Sequence, residues 1–445
     1  MPIPYQPDPP DEQSIELSIS EADVVFDRWT SYEFNSDFLT PTDSFHFTLG
    51  VGEGLSDGQR NALRVGAQCR LYLGTNILAD GRIDGIEISA DRHGGITYNV
   101  RGRDWLGQTL DTVADPRFQL KNGGTLAELL KRLFAPFGYV NDDDFALDND
   151  ANREAKSGVR GFHNRPKQPV STGSTKARRR KSKPKAKPLS DYELHQTKPY
   201  NHESVFHFAS RVTQRQGLWI WASADGETLI VGKPDFDQEP LFSLYRLADG
   251  YSNVLSGTVH YDLTNQPTII VADAFAPGGA GEFGKGRCKG YILHPILGYT
   301  ATGNPKPEAL KLIESYPGAV ESILPAASFR EAASFSFRPE ENFPFRPMFL
   351  HDDESKTPEQ LDSFLKREMS LLYRQTLTAR YTVEGHGQTV DGSFIAWTPD
   401  TVVDVVDEIA GVRELLYVLG VRFAKSRTGG TTTELELIRL HSIFF

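Results

Sequence analysis

Short runs of alternating apolar and polar residues restrict the fold of this chain more than any other feature. Apolar side chains at every second position place one face of a strand on a core and the other outward, as in antiparallel sheets and small barrels. Near the N-terminus the runs are IELSIS (15–20), SFHFTLG (44–50), RLYLG (70–74) and GRIDGIEISADRHGGITYNVRGRDW (81–105), the last with a turn predicted at His93-Gly94-Gly95. Further strands are predicted at 257–264, 266–275, 287–296, 377–385 and 414–440, the last with a hairpin loop at Thr428-Gly429-Gly430.

Helical patterns begin only at Thr125. There TLAELLKRLFAPFGY places four leucines on one helical face, and Thr125 with Glu128 predicts a capping box. A second helix is predicted from about Asn201, followed by two strands around an Asp225-Gly226 turn. Thr357-Pro358 predicts the start of a long helix, and residues 300–350 show no clear pattern. The fold class predicted from these patterns is α+β, mainly β, with two β regions flanking an α/β insert.

A basic segment interrupts the insert. Residues 151–190 carry 13 Lys or Arg and one acid, whereas the whole chain is at −11, so the remainder carries −23. An acidic surface repels phosphate, so we expect no direct DNA binding outside this segment. Within it, residues 171–190 lack the aromatic residues that stack on single strands, so a solvated loop is favoured over nucleic-acid binding. Contact with an acidic protein surface is the intermediate alternative. The candidate partner-binding residues are Arg178, Arg179, Arg180, Lys181, Lys183, Lys185 and Lys187.

No catalytic, cofactor or metal pattern is complete. GAGEFGKG (279–286) ends in Gly where a phosphate-binding loop needs Ser or Thr, and His202 and His207 are five apart where a zinc protease helix needs four. Cys69 and Cys288 form no metal spacing, which favours a reducing cytoplasm. No apolar run is long enough to cross a bilayer. We therefore predict no cofactor, no metal and no enzymatic activity.

The stretch GRIDGIEISADRHGGITYNVRGRDWLGQTLD resembles the N-terminal barrel of phage tail baseplate hub proteins, the Mu-type hub and late control protein D group. In that family a Gly-x-Ile-Asp strand precedes a hairpin and a Gly-Arg-Asp turn, which is Gly102, Arg103 and Asp104 here. The stretches ESVFHFASRVTQRQGLWIWASADGETLIVGKP and TPEQLDSFLKREMSLLYRQTLTARYTVEGHG, with the C-terminal hairpin, extend the resemblance over most of the chain.

The resemblance implies two tail-tube-like β-barrel domains. The predicted division is an N-terminal extension (1–12), a first tube-like barrel (13–115), an α/β insert with the basic loop (116–240), a β-rich connecting region contributing strands to the second barrel (241–345), and the second tube-like barrel with a helix at 358–374 (346–445).

The resemblance also implies a structural role in a virion tail baseplate assembled in the bacterial cytoplasm. Such hubs are homotrimers whose six barrels join a tail tube protein to a central spike protein, with tape measure and baseplate wedge proteins as further candidate partners. A separate spike is expected, because no spike pattern follows within these residues. Two alternatives stay open at this point: a tail-associated cell-wall hydrolase, and a nucleic-acid-binding protein acting through the basic loop.

Overall fold

The structure is a computed structural model that describes residues 3–8, 13–51, 55–91, 95–121, 123–141, 144–147, 188–194, 197–236, 238–275, 287–300, 303–324, 343–353, 355, 357–390 and 393–444. Within these ranges no helix combines the length and the apolar character that crossing a membrane requires.

The chain begins with the short strand β1 (Ile3–Pro4) and then forms the first β region. The elements of this region are β2 (Ile15–Ile19), β3 (Val24–Phe26), β4 (Ser31–Asp37), β5 (Ser44–Val51), α1 (Asp57–Ala62), β6 (Gln68–Leu73), β7 (Asn76–Asp91) and β8 (Gly95–Asp104). Along β6, buried and half-buried side chains alternate, so the period of two predicted at 70–74 is confirmed. The same alternation occurs along β4, for which no strand was predicted. Every pairing between these strands is antiparallel.

The insert follows as a small α/β unit with its own core. Its elements are α2 (Leu106–Asp111), β9 (Gly124–Thr125), α3 (Leu126–Phe134), β10 (Phe145–Leu147), β11 (Glu193–Leu194), α4 (Val205–Gln214), β12 (Trp219–Ala222) and β13 (Leu229–Gly232). The four leucines predicted to share one face of α3 are all buried. Thr125 caps α3 by accepting a hydrogen bond from the Glu128 backbone N–H, which is the first half of the predicted capping box.

Next the chain contributes β14 (Phe242–Arg246) and β15 (Ser256–Tyr261) to the second β region and then leaves it for a separate small sheet. That sheet has the order β18-β17-β16-β19, from β16 (Ile269–Phe275), β17 (Arg287–Leu293), β18 (Val320–Ser322) and β19 (Pro347–Asp352). Helix α5 (Pro307–Glu314) packs on one face, and α6 (Pro358–Arg374) packs on the other. Helix α6 has its predicted bounds and its Thr357 cap. Its buried Leu361 and Leu365 contact this small sheet rather than the second β region, to which the sequence analysis assigned the helix.

The second β region is completed by the C-terminal strands. These are β20 (Leu377–Glu384), β21 (Gly387–Val390), β22 (Ser393–Ala396), β23 (Thr401–Asp407), β24 (Val412–Ser426) and β25 (Gly430–Arg439). Strand β1 pairs with β14, so the N-terminal residues add to this region. One hydrophobic cluster runs through both β regions.

The two β regions share one strand order. Six strands of the first region, taken in space, run β2-β6-β7-β8-β5-β4, and six of the second run β14-β23-β24-β25-β20-β15. Numbered along the chain, both orders are 1-4-5-6-3-2. The regions differ in the pairing of strand 1 with strand 4. This pairing is antiparallel in the first region, between β2 and β6, and parallel in the second, between β14 and β23. Among the described residues, neither sheet is closed into a barrel by backbone pairing.

The equivalence is closest in the hairpins β7–β8 and β24–β25. Each long strand has a bulge, between Ile83 and Gly85 in β7 and between Val418 and Gly420 in β24. After the bulge each strand runs seven more residues, and after three further residues the returning strand begins at Gly95 or Gly430. Every position in the first hairpin therefore corresponds to a position 335 residues later in the second.

Some elements differ from the sequence analysis. Helices α1 and α2 precede Thr125, where none was predicted, because six residues are too short to display a helical period. The unpatterned stretch 300–350 contains α5, which buries one residue, Ala309. The predicted turn at 93–95 and the phosphate-loop-like stretch 279–286 fall wholly or mostly outside the described residues.

Candidate assembly surfaces

Strand β4 of the first β region lies beside β24 of the second and joins the two into one sheet. The pairing is antiparallel and runs from Asp37 opposite Gly420 to Ser31 opposite Ser426. It begins directly after the bulge in β24, so the first half of β24 pairs with β23 and the second half with β4. A Cβ atom at Gly420 would lie 2.9 Å from Asp37 Oδ2, so this close approach of the strands favours glycine. We call this pairing the internal joint.

Aromatic side chains fill the core beneath the internal joint. Phe34 and Phe423 face each other across the pairing with ring centroids 5.9 Å apart, and both are buried. The His386 ring lies 4.6 Å from the Phe423 ring. Cross-strand aromatic pairs of this kind stabilise a sheet by about 0.2–1 kcal/mol each beyond an alanine pair.

A buried hydrogen-bonded chain crosses the joint at His386. Thr433 Oγ1 donates to the Gly385 carbonyl at 2.6 Å and lies 3.0 Å from His386 Nδ1. The hydroxyl proton is used in the first bond, so Nδ1 must carry the donating proton of the second. Nε2 is then the acceptor for the Tyr32 hydroxyl, 2.8 Å away. His386 is thereby held as one neutral tautomer between strands of both β regions.

The surroundings keep that imidazole neutral. Burial lowers the pKa of His386 to about 3, and the positive charge of Lys425 acts in the same direction. The side-chain oxygen of Gln13 accepts from the backbone N–H groups of His386 and Gly387, the latter at 3.0 Å. The polar groups of the joint are therefore paired by residues from the first β region.

An ion pair marks the solvent side of the joint. Arg422 Nη2 on β24 lies 2.6 Å from Glu33 Oε2 on β4. Partial burial acts to raise the pKa of Glu33, but the hydrogen bonds from Arg422 and Asn35, together with the positive charge of Arg422, outweigh it and the pKa is lowered. The joint thus combines a backbone ladder, an aromatic core and a charge pair.

A second junction lies at the Gly-Arg-Asp turn. Arg103 bridges two carboxylates, Asp84 and Asp111, each at 2.6 Å, which links the Gly-x-Ile-Asp strand to helix α2. Its neighbour Asp104 accepts from the Asp43 backbone N–H at 3.0 Å and from the Leu106 N–H at 3.1 Å. Burial raises the pKa of Asp104 to about 7. The turn motif therefore has a structural role at the end of the first β region.

Trp105 continues this junction into the insert. Its Nε1 donates to Asp80 Oδ1 at 2.8 Å, and Asp80 also accepts from Arg70 at 2.6 Å. On the insert side, Gly226 has φ +70°, and a Cβ atom there would lie 2.5 Å from Trp105 Cδ1. Tyr139 donates to the Gly226 carbonyl at 2.7 Å. The insert is therefore seated on the first β region through a glycine at the Asp225-Gly226 turn.

The candidate residues from the sequence have different outcomes. Arg178, Arg179, Arg180, Lys181, Lys183, Lys185 and Lys187 all lie outside the described residues, so their partner-binding role stays a prediction. Glu203 pairs with Arg211 at 2.8 Å, and His207 Nδ1 lies 3.0 Å from Ser204 Oγ. Across the described ranges, no three His, Cys, Asp or Glu side chains form a group that could hold a metal ion. Cys69 and Cys288 are both thiols.

Sequence reasoning missed the residues of the internal joint. Tyr32, His386 and Thr433 are single residues far apart along the chain, and no local spacing connects them. The available signal was a Gly inside each of the two long strand patterns, at Gly85 and Gly420, which marks the two bulged strands.

Comparison with protein-family models matches both β regions. Residues 15–104 match the N-terminal domain of Mu phage baseplate assembly proteins of the GpP-like type. The first β region is therefore similar to a domain of phage baseplate proteins. Residues 372–439 match the C-terminal domain of a tail protein family. The resemblance stated from the sequence is thus confirmed.

Solved structures share the fold over nearly the whole chain. The tail protein from Neisseria meningitidis MC58 is 19% identical, with a TM-score of 0.63, and the match covers 96% of this chain and 98% of that one. The 43 kDa tail protein of prophage MuSo2 from Shewanella oneidensis is 15% identical, with a TM-score of 0.62 and coverage of 97% and 99%. No curated protein sequence matches the chain.

Proposed function

We propose that this chain is the structural hub of a phage or phage-like tail baseplate, in which three copies form a ring that joins the tail tube to a central spike. The observation that carries the proposal is the strand order 1-4-5-6-3-2 shared by the two β regions, with the two units already joined edge to edge. A chain with two equivalent units joined side by side can extend the same arrangement through further copies, and a closed ring satisfies every joint.

In this proposal each β region is a tube-like barrel. Side-chain hydrogen bonds between the first and last strands of each order support this. Arg246 of β14 donates to the Gly257 carbonyl of β15 at 2.8 Å. In the first region Trp29, just before β4, donates to the Ile15 carbonyl of β2 at 3.0 Å. The end strands of each six-strand order are therefore within side-chain reach of each other.

The proposed role is mechanical, in the tail of the virion. The matched families are baseplate and tail proteins, which favours structural partners over a substrate. The spike and tail tube proteins are the proposed partners on the two faces of the ring. The domain division given above is part of the proposal, except that helix α6 belongs with the small sheet on which it packs.

The mass of the purified chain in solution tests the proposal. Light scattering over a range of concentrations is expected to give three times the chain mass of 49.6 kDa. Negative-stain images of that species should show a ring. A chain that stays monomeric alone and after co-expression with its spike and tube proteins contradicts the proposal. Clearing of purified peptidoglycan by the chain would favour the cell-wall hydrolase instead.

A further inference from the structure

Among the described residues, the second half of β7 is paired along one edge only. Residues 85–91 pair with β8, whereas the pairing with β6 ends at Arg82. The equivalent half of β24 pairs on both edges, with β25 and with β4. The first β region therefore presents an open edge at the position where the second β region forms the internal joint.

The side chains of this open edge are exposed where their equivalents are buried. Ile88 is 61% exposed, whereas Phe423, its equivalent in β24, is fully buried. Phe34 of β4 lies opposite Phe423 in the internal joint and packs against it. A strand beside β7 would cover Ile88 in the same way.

The strand equivalent to β4 is also an edge strand. β15 holds position two in the second β region, as β4 does in the first, and it pairs only with β20 among the described strands. In the first β region β4 pairs with β5, which pairs with β8; in the second, β15 pairs with β20, which pairs with β25. Following both series from the equivalent strands β8 and β25 makes Ser31 equivalent to Ser256 and Phe34 equivalent to Val259. Both partners of a second joint are thus present in one chain, on different β regions.

From this equivalence, and resting on the proposed ring, we infer that β15 of one copy pairs antiparallel with the open half of β7 in the next copy. The partner of this surface is a second copy of the chain. Transferring the register of the internal joint places Val259 opposite Ile88 and His260 opposite Glu87. The contact is head-to-tail, because β7 and β15 are different surfaces, and such contacts close into rings.

The side chains suit this register. Val259 is half-buried and Ile88 exposed, so the transferred pairing sets an apolar side chain against an apolar one, as in the Phe34–Phe423 pair. His260 is 68% exposed at its side chain and lies on the outward-facing side of β15. Glu87 opposite it provides an acceptor, in the place where Arg422 meets β4 in the internal joint.

A disulfide between the two strands tests the register. Residues directly opposite in an antiparallel pair have Cα atoms about 4.5–5.5 Å apart, within the range a disulfide spans. In a Cys288→Ser background, Ile88→Cys with Val259→Cys should give linked dimer and trimer on a non-reducing gel, and each single variant only unlinked chain. Cys69 can stay, because burial raises the pKa of its thiol to about 12 and blocks its reaction. Val65→Cys with Val259→Cys is the matched control, since Val65 is 62% exposed but lies off the β7 edge.

A charge at the edge provides a second test. Ile88→Lys should raise the concentration needed for half-assembly by about tenfold or more, equal to at least 1.4 kcal/mol of lost association energy. Val65→Lys should leave assembly unchanged. Because both side chains are exposed in the single chain, neither variant should lower its thermal stability.

The outcomes separate this inference from the proposed hub. If the wild-type chain is a trimer but Ile88→Cys with Val259→Cys links no more than the control, the β7–β15 pairing is wrong and the trimeric hub stands. If Ile88→Lys remains a full trimer, the pairing is likewise overturned. Both are contradicted if the wild-type chain stays monomeric alone and after co-expression with its spike and tube proteins, and the double-cysteine variant gives no linked product.

Discussion

The buried His386 makes the internal joint sensitive to acid. An imidazole in the unfolded chain binds a proton near pH 6.5, whereas in the folded chain burial keeps His386 neutral down to about pH 3. The folded-state pKa is depressed, so the stabilising effect of the neutral ring is present above pH 6.5 and is lost as the pH falls toward 3. pH 5 lies about 1.5 units below the pKa of the unfolded-state imidazole. At about 1.36 kcal/mol per unit, the free energy of unfolding is therefore lower by about 2 kcal/mol at this pH.

The variant His386→Gln isolates this contribution. Other groups also titrate in this range, including His294, whose pKa burial lowers to about 3, and Asp104, whose pKa is raised. They are common to wild type and variant, so they cancel in the difference. Between pH 7 and pH 5, wild type should lose about 2 kcal/mol more unfolding free energy than His386→Gln.

Denaturant unfolding followed by tryptophan fluorescence gives the measurement, since Trp397 is buried in the core that both β regions share. The control is His46→Gln, which removes an exposed histidine of β5 and should leave the pH dependence as in wild type. If the unfolding free energies of wild type and His386→Gln fall by the same amount between pH 7 and pH 5, the argument that a neutral imidazole holds the joint is refuted.

Three other perturbations test the remaining junctions. Gly226→Ala should destabilise the protein by about 2–5 kcal/mol, because a Cβ would meet Trp105 and φ is positive; a thermal midpoint within a degree of wild type would contradict the seating of the insert. Arg246→Lys should cost about 1.5–3 kcal/mol, since lysine cannot make the two bonds of 3.0 and 2.6 Å to buried Asp407; denaturant unfolding measures this, and an unchanged midpoint would mean that the fork is dispensable. Replacing residues 164–187 by a short Gly-Ser linker should leave folding and the number of chains per assembly unchanged, because that stretch has only one sizeable apolar side chain to contribute to a core or an interface. Loss of the assembly in light scattering would show that the basic loop holds it together.

The sequence predicted the elements whose patterns are local. The alternation in β2 and β5 and the capped leucine face of α3 needed no distant information, and the structure contains them. Helix α1 escaped prediction although Ser56 and Gln59 form a capping box, because its six residues are too few to display a helical period after the cap. The mainly β class followed from the same alternation.

The joints could not be predicted, because their partners are remote. Nothing in SYEFNSD (31–37) indicates that its second edge belongs to β24 rather than to solvent. The tautomer of His386 depends on Thr433 and Tyr32, which come from separate strands. The Gly-Arg-Asp turn was visible as a motif, but its chemistry, an arginine between Asp84 and Asp111, required the hairpin and α2 to be in place.

The pairing of β4 with β24 also sets the order in which the chain can fold. Glu33 and Arg422 are 389 positions apart, so a ribosome adding about 5–20 residues per second exposes β4 for about 20–80 s before its partner strand exists. During that interval β4 offers an open backbone edge to every other nascent chain. Its sequence carries Glu33, Asn35 and Asp37, and charged or polar side chains of this kind oppose edge-to-edge aggregation. The polar side of β4 therefore protects the strand until the C-terminal hairpin is made.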